Sequence, residues 1–183
     1  MGFNSLLKLA SLLVVCIIMA CQPAWHPPVE KDVLPARVKG TSDKRRIEDI
    51  STLRHSGIKV ITIGQDYMVS IPAKVIFPDE SPRITWAGYD TLNQVAAFIA
   101  EFRKVAVNVT AYTSFYRSID RTNALSHARA VNVANYLWTQ GIDTRLMIEE
   151  GRGLSNPIVG NCSPHGDKSK NARVEITFRD AVA

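Results

Sequence analysis

The sequence predicts a two-layer α/β (α+β) sandwich in which two helices pack on one face of a small mixed sheet. Two observations carry this prediction. Two segments repeat apolar residues at the spacing of an amphipathic helix, and five short runs are rich in apolar and β-branched residues, as strands are. In chain order the segments read β-β-α-β-α-β-β, and two helices of about fifteen residues can both cover one face of such a sheet.

The first half of the sandwich is expected to hold two strands and a helix. The strands occupy 58–63 and 67–71, and the Gly-Gln-Asp turn between them is typical of a hairpin. The helix follows within 87–104, because its apolar residues recur three or four positions apart. These residues are Leu92, Val95, Ala96, Ile99 and Phe102.

The second half is expected to add three strands and a helix. A strand over 105–112 is indicated by valines that alternate with other residues. A helix then runs over 123–141 and stops at Gly141. Two short strands follow at 145–151 and 172–178, with a polar loop between them. The apolar stripe of the helix consists of Ala130, Val133, Ala134 and Leu137.

Residues 1–20 are expected to form a signal peptide, because Lys8 precedes an apolar run of 12 residues that is too short to span a bilayer comfortably. Cys21 follows Ala20, and this IMAC box resembles the bacterial lipoprotein signal, in which the cysteine is acylated. The alternative is an ordinary signal peptide with a chance cysteine. Each acyl chain contributes about 0.8 kcal/mol per buried CH₂, so two or three chains anchor a protein almost permanently. By the rule for such signals, Gln22 in place of aspartate indicates the outer membrane, with the folded domain in the periplasm.

A proline-rich, lipid-anchored linker is expected over 21–45, and the folded domain over 46–183. The 23 residues from Gln22 to Lys44 reach at most about 75–80 Å when fully extended. A short helix is also expected within 42–57, with Gly57 as its stop. Its apolar side would consist of Ile47, Ile50 and Leu53.

The composition excludes several classes of protein. The 183 residues are 46% hydrophobic and 21% charged, which is typical of a globular chain. The net charge of +5 is spread along the chain, and the one basic cluster, at 43–46, falls far short of a nucleic-acid-binding surface. Cys16 leaves with the signal and Cys21 takes the lipid, so Cys162 has no partner for an intramolecular disulfide.

One loop combines a thiol, an imidazole and a carboxylate, because Cys162, His165 and Asp167 lie within six residues. Catalytic cysteine and histidine usually meet from distant parts of a chain, so we expect no catalytic residues and no enzyme. The loop supplies only two metal ligands of the cysteine and histidine type, whereas zinc needs at least three. No metal is expected, and no glycine-rich phosphate loop indicates a cofactor.

Three aromatic residues, Tyr112, Phe115 and Tyr116, follow the third predicted strand. Exposed aromatic side chains near a cleft often mark an interface for sugars or peptides. The alternative is that these rings pack in the core, and the sequence leaves both interpretations open.

Several blocks of sequence between residues 57 and 180 follow the order of a known domain. They include LSHARAVNVANYL at 125–137, GRGLSNP at 151–157 and NARVEI at 171–176, after a VIF segment at 75–77. In these blocks the chain resembles the OmpA-like peptidoglycan-binding domain. Several blocks at fixed spacing are a stronger signal than any single short motif. The resemblance implies a module that binds peptidoglycan rather than an enzyme.

The resemblance also implies a binding site. In this family an aspartate after the central strand and an arginine fifteen residues later clamp the zwitterionic end of diaminopimelate in the peptidoglycan stem peptide. Arg129 stands at the arginine position, and a planar guanidinium matches a carboxylate with two parallel hydrogen bonds. The alternative is an arginine that only covers the helix surface or caps a neighbour. Ser114 stands where the family has the aspartate.

Four further residues are weaker candidates for peptidoglycan binding by the same resemblance: Thr122, Asn123, Asn171 and Arg173. Several family charges are absent, since Ala172 replaces an arginine and Pro78 an acid. A charge-assisted hydrogen bond contributes about 1.5–3 kcal/mol and a neutral one roughly 1, so the serine predicts an affinity lower by at least about tenfold to a hundredfold. Either the cavity still holds a carboxylate weakly, or it is vestigial and the domain binds proteins.

A narrower resemblance concerns three other blocks, at 57–77, 90–102 and 136–142. They are similar to the small OmpA-like lipoproteins of Dot/Icm type IVB secretion systems. This resemblance implies that the other subunits of a secretion complex are partners, besides peptidoglycan and the membrane that holds the lipid anchor.

Overall fold

A computed structural model describes residues 43–142, 144–160 and 168–181 of the chain. The predicted signal peptide, Cys21 and the linker up to residue 42 lie outside the described residues. The same holds for Cys162, His165 and Asp167. In the described part of the chain, none of the helices has the length and apolar character of a membrane span.

The described chain forms four α-helices, one 3-10 helix and five strands. Helix α1 precedes a hairpin of two strands, and a single-turn helix α2 leads into the first long helix, α3. Strands β3 and β4 flank the longest helix, α4, and a 3-10 turn leads into β5. The bounds are α1 Asp43–His55, β1 Lys59–Ile63, β2 Asp66–Pro72, α2 Ala73–Ile76, α3 Trp86–Ala100, β3 Ala106–Tyr112, α4 Ile119–Thr139, β4 Leu146–Gly151, the 3-10 helix Lys168–Asn171 and β5 Arg173–Arg179.

The strands form one mixed sheet in the order β1-β2-β5-β3-β4. Strand β5 is last in sequence but lies in the middle, antiparallel to both β2 and β3. Strands β3 and β4 are parallel, as expected for two strands connected through a helix. The predicted order of elements and the mixed sheet are therefore confirmed.

One face of the sheet carries the core. Val69, Ile176 and Val109 are paired across three neighbouring strands, and all three are fully buried. The residues next to them on each strand, such as Met68 and Asn108, are half-buried or exposed, as the two-residue period of a strand requires. The apolar sides of α3 and α4 belong to the same core cluster as the buried strand residues. The result is the two-layer sandwich that the sequence predicts.

The start of α3 is fixed by Thr85. Its hydroxyl accepts a hydrogen bond from the Gly88 backbone N–H at 3.0 Å and donates one to the Ile76 carbonyl at 3.1 Å. The two helices approach so closely that a Cβ on Gly88 would lie 2.6 Å from that carbonyl oxygen. The segment 77–84 is therefore held at both ends, and this segment forms one wall of the site described below.

The sequence prediction was wrong in its details at two places. Ile47, expected on the apolar side of α1, is exposed, and Arg46 is buried instead. Arg46 can be buried because it pairs with Asp180 at 3.3 Å and its guanidinium lies 4.2 Å from the centre of the Phe102 ring. Val105 lies before β3 and is exposed, since the strand begins one residue later.

Candidate functional site

A cavity of about 310 Å³ opens between α2, the segment that follows it, the loop after β3, and the middle of α4. Both charged and apolar side chains line this cavity. Those that matter for its chemistry are Lys74, Asp79, Glu80, Ser114, Phe115 and Arg129. A site with a few convergent polar groups in a concave surface is the usual form of a ligand-binding site.

Arg129 enters the cavity from α4. It lies between Leu125 and Val133 in the buried stripe of the helix, and only 5% of its surface is exposed. Its Nε donates a hydrogen bond to the Ser81 carbonyl at 3.0 Å, and Nη2 donates to the Pro78 carbonyl at 3.3 Å. A guanidinium has five N–H donors, and the described residues accept from three of them. Two of its N–H groups thus have no acceptor in the described part of the chain.

The partners of Arg129 are all neutral. The third acceptor is the Thr113 hydroxyl, 3.4 Å from Nη1, and the Phe77 ring centre lies 4.9 Å from the guanidinium carbon. Burial lowers the pKa of Arg129, and the charge of Asp79 raises it again in part. A buried cation that has only neutral acceptors is a favourable place for an anion, because the anion supplies the missing counter-charge.

The two backbone acceptors of Arg129 flank a short turn, residues 78–81, which we call the acidic turn. The Ser81 N–H contacts the Pro78 carbonyl at 3.4 Å and closes the turn. Glu80 has a φ of 53°, which is uncommon for a residue with a side chain. The side chains of Asp79 and Glu80 are exposed at the cavity. Arg129 therefore ties both ends of the segment that carries these two carboxylates.

The loop after β3 forms the opposite wall. Thr113 is buried and anchored by its backbone N–H, which donates to the Gly153 carbonyl at 2.9 Å. Ser114, next to it, is exposed and lines the cavity. The structure therefore brings Ser114 and Arg129, the two halves of the predicted clamp, to the same cavity.

The three aromatic residues after β3 have different environments. Phe115 is exposed and lines the cavity, together with the half-buried Tyr116. Tyr112 is buried under the guanidinium of Arg173, which lies 3.9 Å from its ring centre. Only the first two rings are available to a ligand in this cavity.

Two of the weaker candidates lie at the start of α4. The Thr122 hydroxyl is buried and accepts a hydrogen bond from the Tyr116 N–H at 2.9 Å. Asn123 lies against Gly153, where a Cβ would come within 2.3 Å of its Oδ1 atom. Neither residue lines the cavity; both shape the loops that do.

The other two candidates precede and begin β5. The Asn171 side chain accepts from the Val159 N–H at 2.8 Å and donates to the Val159 carbonyl at 3.0 Å. Arg173 is 5% exposed and forms an ion pair with Glu175 at 2.6 Å. It also donates to the carbonyls of Asn171 and Asn156, at 3.1 and 3.0 Å. Neither Asn171 nor Arg173 lines the cavity.

Sequence reasoning missed the residues that hold Arg129 and those that face it. The carbonyls of Pro78 and Ser81 cannot be recognised from side-chain patterns, and Thr113 precedes the position that the family comparison marks. Asp79 and Glu80 could have been found, because they directly follow the proline that stands at the family's acidic position. Within the described residues there is no cluster of three or more histidine, cysteine, aspartate or glutamate side chains that could hold a metal ion.

Comparison with known proteins identifies the family to which the chain is similar. The model of the OmpA family matches residues 76–172. The chain is 38% identical to the probable lipoprotein YiaD of Escherichia coli over 69% of its own length and 57% of the relative. It is 33% identical to the peptidoglycan-binding protein ArfA of Mycobacterium bovis over 56% of its own length, and it spans 31% of that relative.

Among solved structures, the fold is similar to the cell wall anchor of the T6SS from Pseudomonas aeruginosa. The TM-score is 0.62 with 25% identity, and the match covers 75% of this chain and 96% of the other. The family match includes α4 with Arg129, the loop with Ser114 and the acidic turn. The chain belongs to the OmpA family.

Proposed function

We propose that this chain is a non-enzymatic, outer-membrane lipoprotein whose periplasmic OmpA-like domain anchors envelope machinery to peptidoglycan. The observation that carries the proposal is Arg129, a buried guanidinium that lines an open cavity and has two N–H groups without an acceptor among the described residues. Such a group binds carboxylates well, because the charge is already desolvated and its orientation is fixed. The carboxylate of diaminopimelate in a peptidoglycan stem peptide fits this chemistry.

Ser114 makes the expected binding weak. Its hydroxyl lies at the same cavity as Arg129 and can accept a hydrogen bond, but it carries no charge. The remaining candidates, Thr122, Asn123, Asn171 and Arg173, would act by holding the loops around the cavity. The proposed ligand is therefore retained through Arg129, with Ser114 as a neutral partner.

The proposed anchor is Cys21, at the end of a signal peptide over 1–20 and followed by a linker over 21–45. The similarity to the probable lipoprotein YiaD supports this assignment. Replacement Cys21→Ser is expected to abolish fatty-acid labelling of the chain and to release it from membranes. Unchanged labelling of the variant would refute the lipid anchor.

The proposed machinery is a type IVB (Dot/Icm) secretion complex. Its support is the resemblance of three sequence blocks to the small OmpA-like lipoproteins of those systems. The similarity in fold to a T6SS cell wall anchor supports the broader role, attachment of a secretion machine to the wall.

A second function is favoured by a different surface. Trp86 is 89% exposed at the start of α3 and lies in an aromatic row with Tyr89 and Tyr136, whose neighbouring ring centres are 6.1 and 4.9 Å apart. Exposed aromatic rows are typical of protein interfaces. In this alternative the domain is a scaffold between secretion-complex subunits, and its cavity no longer binds peptidoglycan.

Retention of the full chain on purified peptidoglycan sacculi separates the two functions. The wall anchor predicts retention of the parent and at least about tenfold weaker retention of Arg129→Met, since a charge-assisted bond is lost. Gly160→Ala, at an open glycine away from the cavity, is the matched control. If the parent is not retained and Ser114→Asp gains retention, the scaffold function is the one that survives. Circular dichroism of each variant checks that the fold is intact.

A further inference from the structure

The acidic turn brings two carboxylates to the cavity in which the predicted clamp lacks its aspartate. Asp79 and Glu80 line the cavity from the side of α2, and Ser114 lines it from the side of β3. Arg129 lies between these walls. Burial lowers the pKa of its guanidinium, and the negative charge of Asp79 raises it in part. The cavity therefore contains a cationic group and an anionic wall, although the wall is not the one that the family comparison indicates.

We infer that the acidic turn is the ammonium-binding half of this cavity, and that the ligand class is an α-amino carboxylate, with its carboxylate on Arg129 and its ammonium on Asp79 and Glu80. The inference rests on the proposed function, because it specifies which residues of the same cavity bind the stem peptide of peptidoglycan. It replaces the weak neutral contact at Ser114 with a charged contact from the opposite wall.

The two carboxylates are available for this role. Among the described residues, neither Asp79 nor Glu80 forms an ion pair or a side-chain hydrogen bond, and both are exposed. By contrast, the two most buried carboxylates of the described ion pairs, Glu175 and Asp180, are bound to Arg173 and Arg46. The described residues around them hold no cluster of three or more metal-ligating side chains, and an ammonium group, which needs no fixed coordination geometry, matches two exposed carboxylates.

The acidic turn is held in place before any ligand arrives. Nε and Nη2 of Arg129 bind the carbonyls at its two ends, Ser81 and Pro78. The left-handed conformation of Glu80 persists because these contacts fix the backbone on both sides. A carboxylate pair that is already oriented loses little conformational freedom on binding. Arg129 is thus a direct ligand group and also the residue that positions the opposite half of the site.

The charges of the cavity favour a zwitterion over an anion. Lys74 and Arg129 contribute two positive charges, and Asp79 and Glu80 contribute two negative ones. A ligand with only carboxylates gains at Arg129 but is repelled by the acidic turn, whereas an ammonium beside the carboxylate turns that repulsion into attraction. The preference between two such ligands therefore reports on the acidic turn specifically.

The test compares meso-diaminopimelate with pimelate, the same dicarboxylate without its two amino groups. Dissociation constants for the full chain are measured by ligand-observed saturation-transfer NMR. We expect the parent to bind meso-diaminopimelate at least about tenfold more tightly than pimelate, as one charge-assisted contact implies. In the double variant Asp79→Asn/Glu80→Gln, binding of meso-diaminopimelate weakens while binding of pimelate strengthens, and the ratio falls to about one. Asp90→Asn, an exposed acid of α3 outside the cavity, is the control and keeps the ratio of the parent.

The outcomes separate this inference from the proposed function. A parent that binds both ligands equally, or neither, overturns the inference, and so does a double variant with an unchanged ratio. A parent retained on sacculi whose double variant is retained equally well also overturns it, but leaves the wall anchor standing. A parent that is not retained on sacculi but prefers meso-diaminopimelate through Asp79 and Glu80 supports the inference and refutes the wall anchor.

Discussion

Two buried arginines, Arg129 and Arg173, have the same exposure of 5% and opposite surroundings. Arg173 has a carboxylate partner at 2.6 Å, two backbone acceptors and an aromatic ring against its face. Arg129 also has two backbone acceptors and an aromatic ring, Phe77 at 4.9 Å, but in place of the carboxylate it has one distant hydroxyl and an open cavity. A buried guanidinium that is paired with a carboxylate inside the protein stabilises the fold. One that has no carboxylate partner there is available to an anionic ligand. Both lie in sequence blocks that resemble the family pattern, so their position in that pattern does not separate the two roles.

The largest expected effect comes from removing the paired arginine. Arg173→Met leaves Glu175 without its partner, with the side chains of the pair 6% and 15% exposed. Loss of one member of a buried pair costs about 3–5 kcal/mol of unfolding free energy. Arg129→Met should cost less, about 1–2 kcal/mol, because it breaks neutral bonds worth roughly 1 kcal/mol each and also removes a desolvated charge. Urea denaturation measures the free energy of unfolding of both variants. Equal destabilisation by the two substitutions would contradict the different roles of Arg173 and Arg129.

A third buried guanidinium extends the comparison to α1. Arg46→Met leaves the Asp180 carboxylate unpaired, with the side chains of that pair 9% and 10% exposed, and should destabilise the domain by about 3 kcal/mol. The neighbouring Arg45 is the matched control. It pairs with Glu101 at 2.7 Å, but its side chain is 76% exposed, so Arg45→Met should cost less than about 1 kcal/mol. Thermal unfolding of the two variants should rank them in this order, and a larger loss for Arg45→Met would contradict it.

The position of Arg129 depends on how closely α4 approaches β4. A Cβ on Gly151 would lie 2.2 Å from the backbone nitrogen of His127, so Gly151→Ala must push the helix away from the strand. Overpacking of this kind costs about 1–3 kcal/mol, and we expect a loss of about 2 kcal/mol. Gly160→Ala, where an added Cβ meets nothing within 4 Å, should leave the free energy of unfolding nearly unchanged. Similar denaturation midpoints for both alanine variants would show that the close contact is not needed.

The smallest expected effect concerns the ring beneath Arg173. Burial raises the pKa of the Tyr112 phenol. The folded protein therefore keeps the phenol proton at a pH at which the unfolded chain has released it. This contribution to stability is complete below the unfolded pKa of about 10 and is lost as the pH rises through the folded pKa.

Tyr112→Phe has no phenol proton to lose, so its stability should fall less steeply than that of the parent as the pH rises above about 10. The difference in stability between the two proteins should widen as the pH rises through the folded pKa of the Tyr112 phenol. Urea denaturation at several alkaline pH values measures it. Parallel curves for the two proteins would show that Tyr112 does not titrate with folding.

The fold was predictable because its signals are local. The valines of β3 and the apolar stripe of α4 have the period of a strand and a helix, and Gly141, with a φ of 73°, ends α4 as its type indicates. The single turn of α2 was missed, since four residues are too few to show a period. The burial of Arg46 was also missed, because its partner Asp180 lies 134 positions away in the chain.

The candidate site was predictable only in part. Arg129 and Ser114 come from the family pattern, and the structure places both at one cavity. The contribution of Asp79 and Glu80 depends on contacts between Arg129 and backbone carbonyls 48 and 51 positions earlier. No periodicity or motif encodes a contact of a side chain with a distant carbonyl. The serine at the aspartate position of the family therefore does not by itself show that binding is lost, because only the structure reveals the other carboxylates at the cavity.

The bridge between Arg46 and Asp180 has a mechanical consequence for an anchored domain. If a lipid tether ends at α1, any tension on it enters the domain through that helix. The bridge then transmits the load to the residue that directly follows β5, the strand with neighbours on both sides in the middle of the sheet. Resistance to such pulling is set by the rate of unfolding rather than by equilibrium stability. A pull on α1 therefore loads the central strand through this side-chain bridge, in addition to the edge strand β1 that the backbone joins to α1.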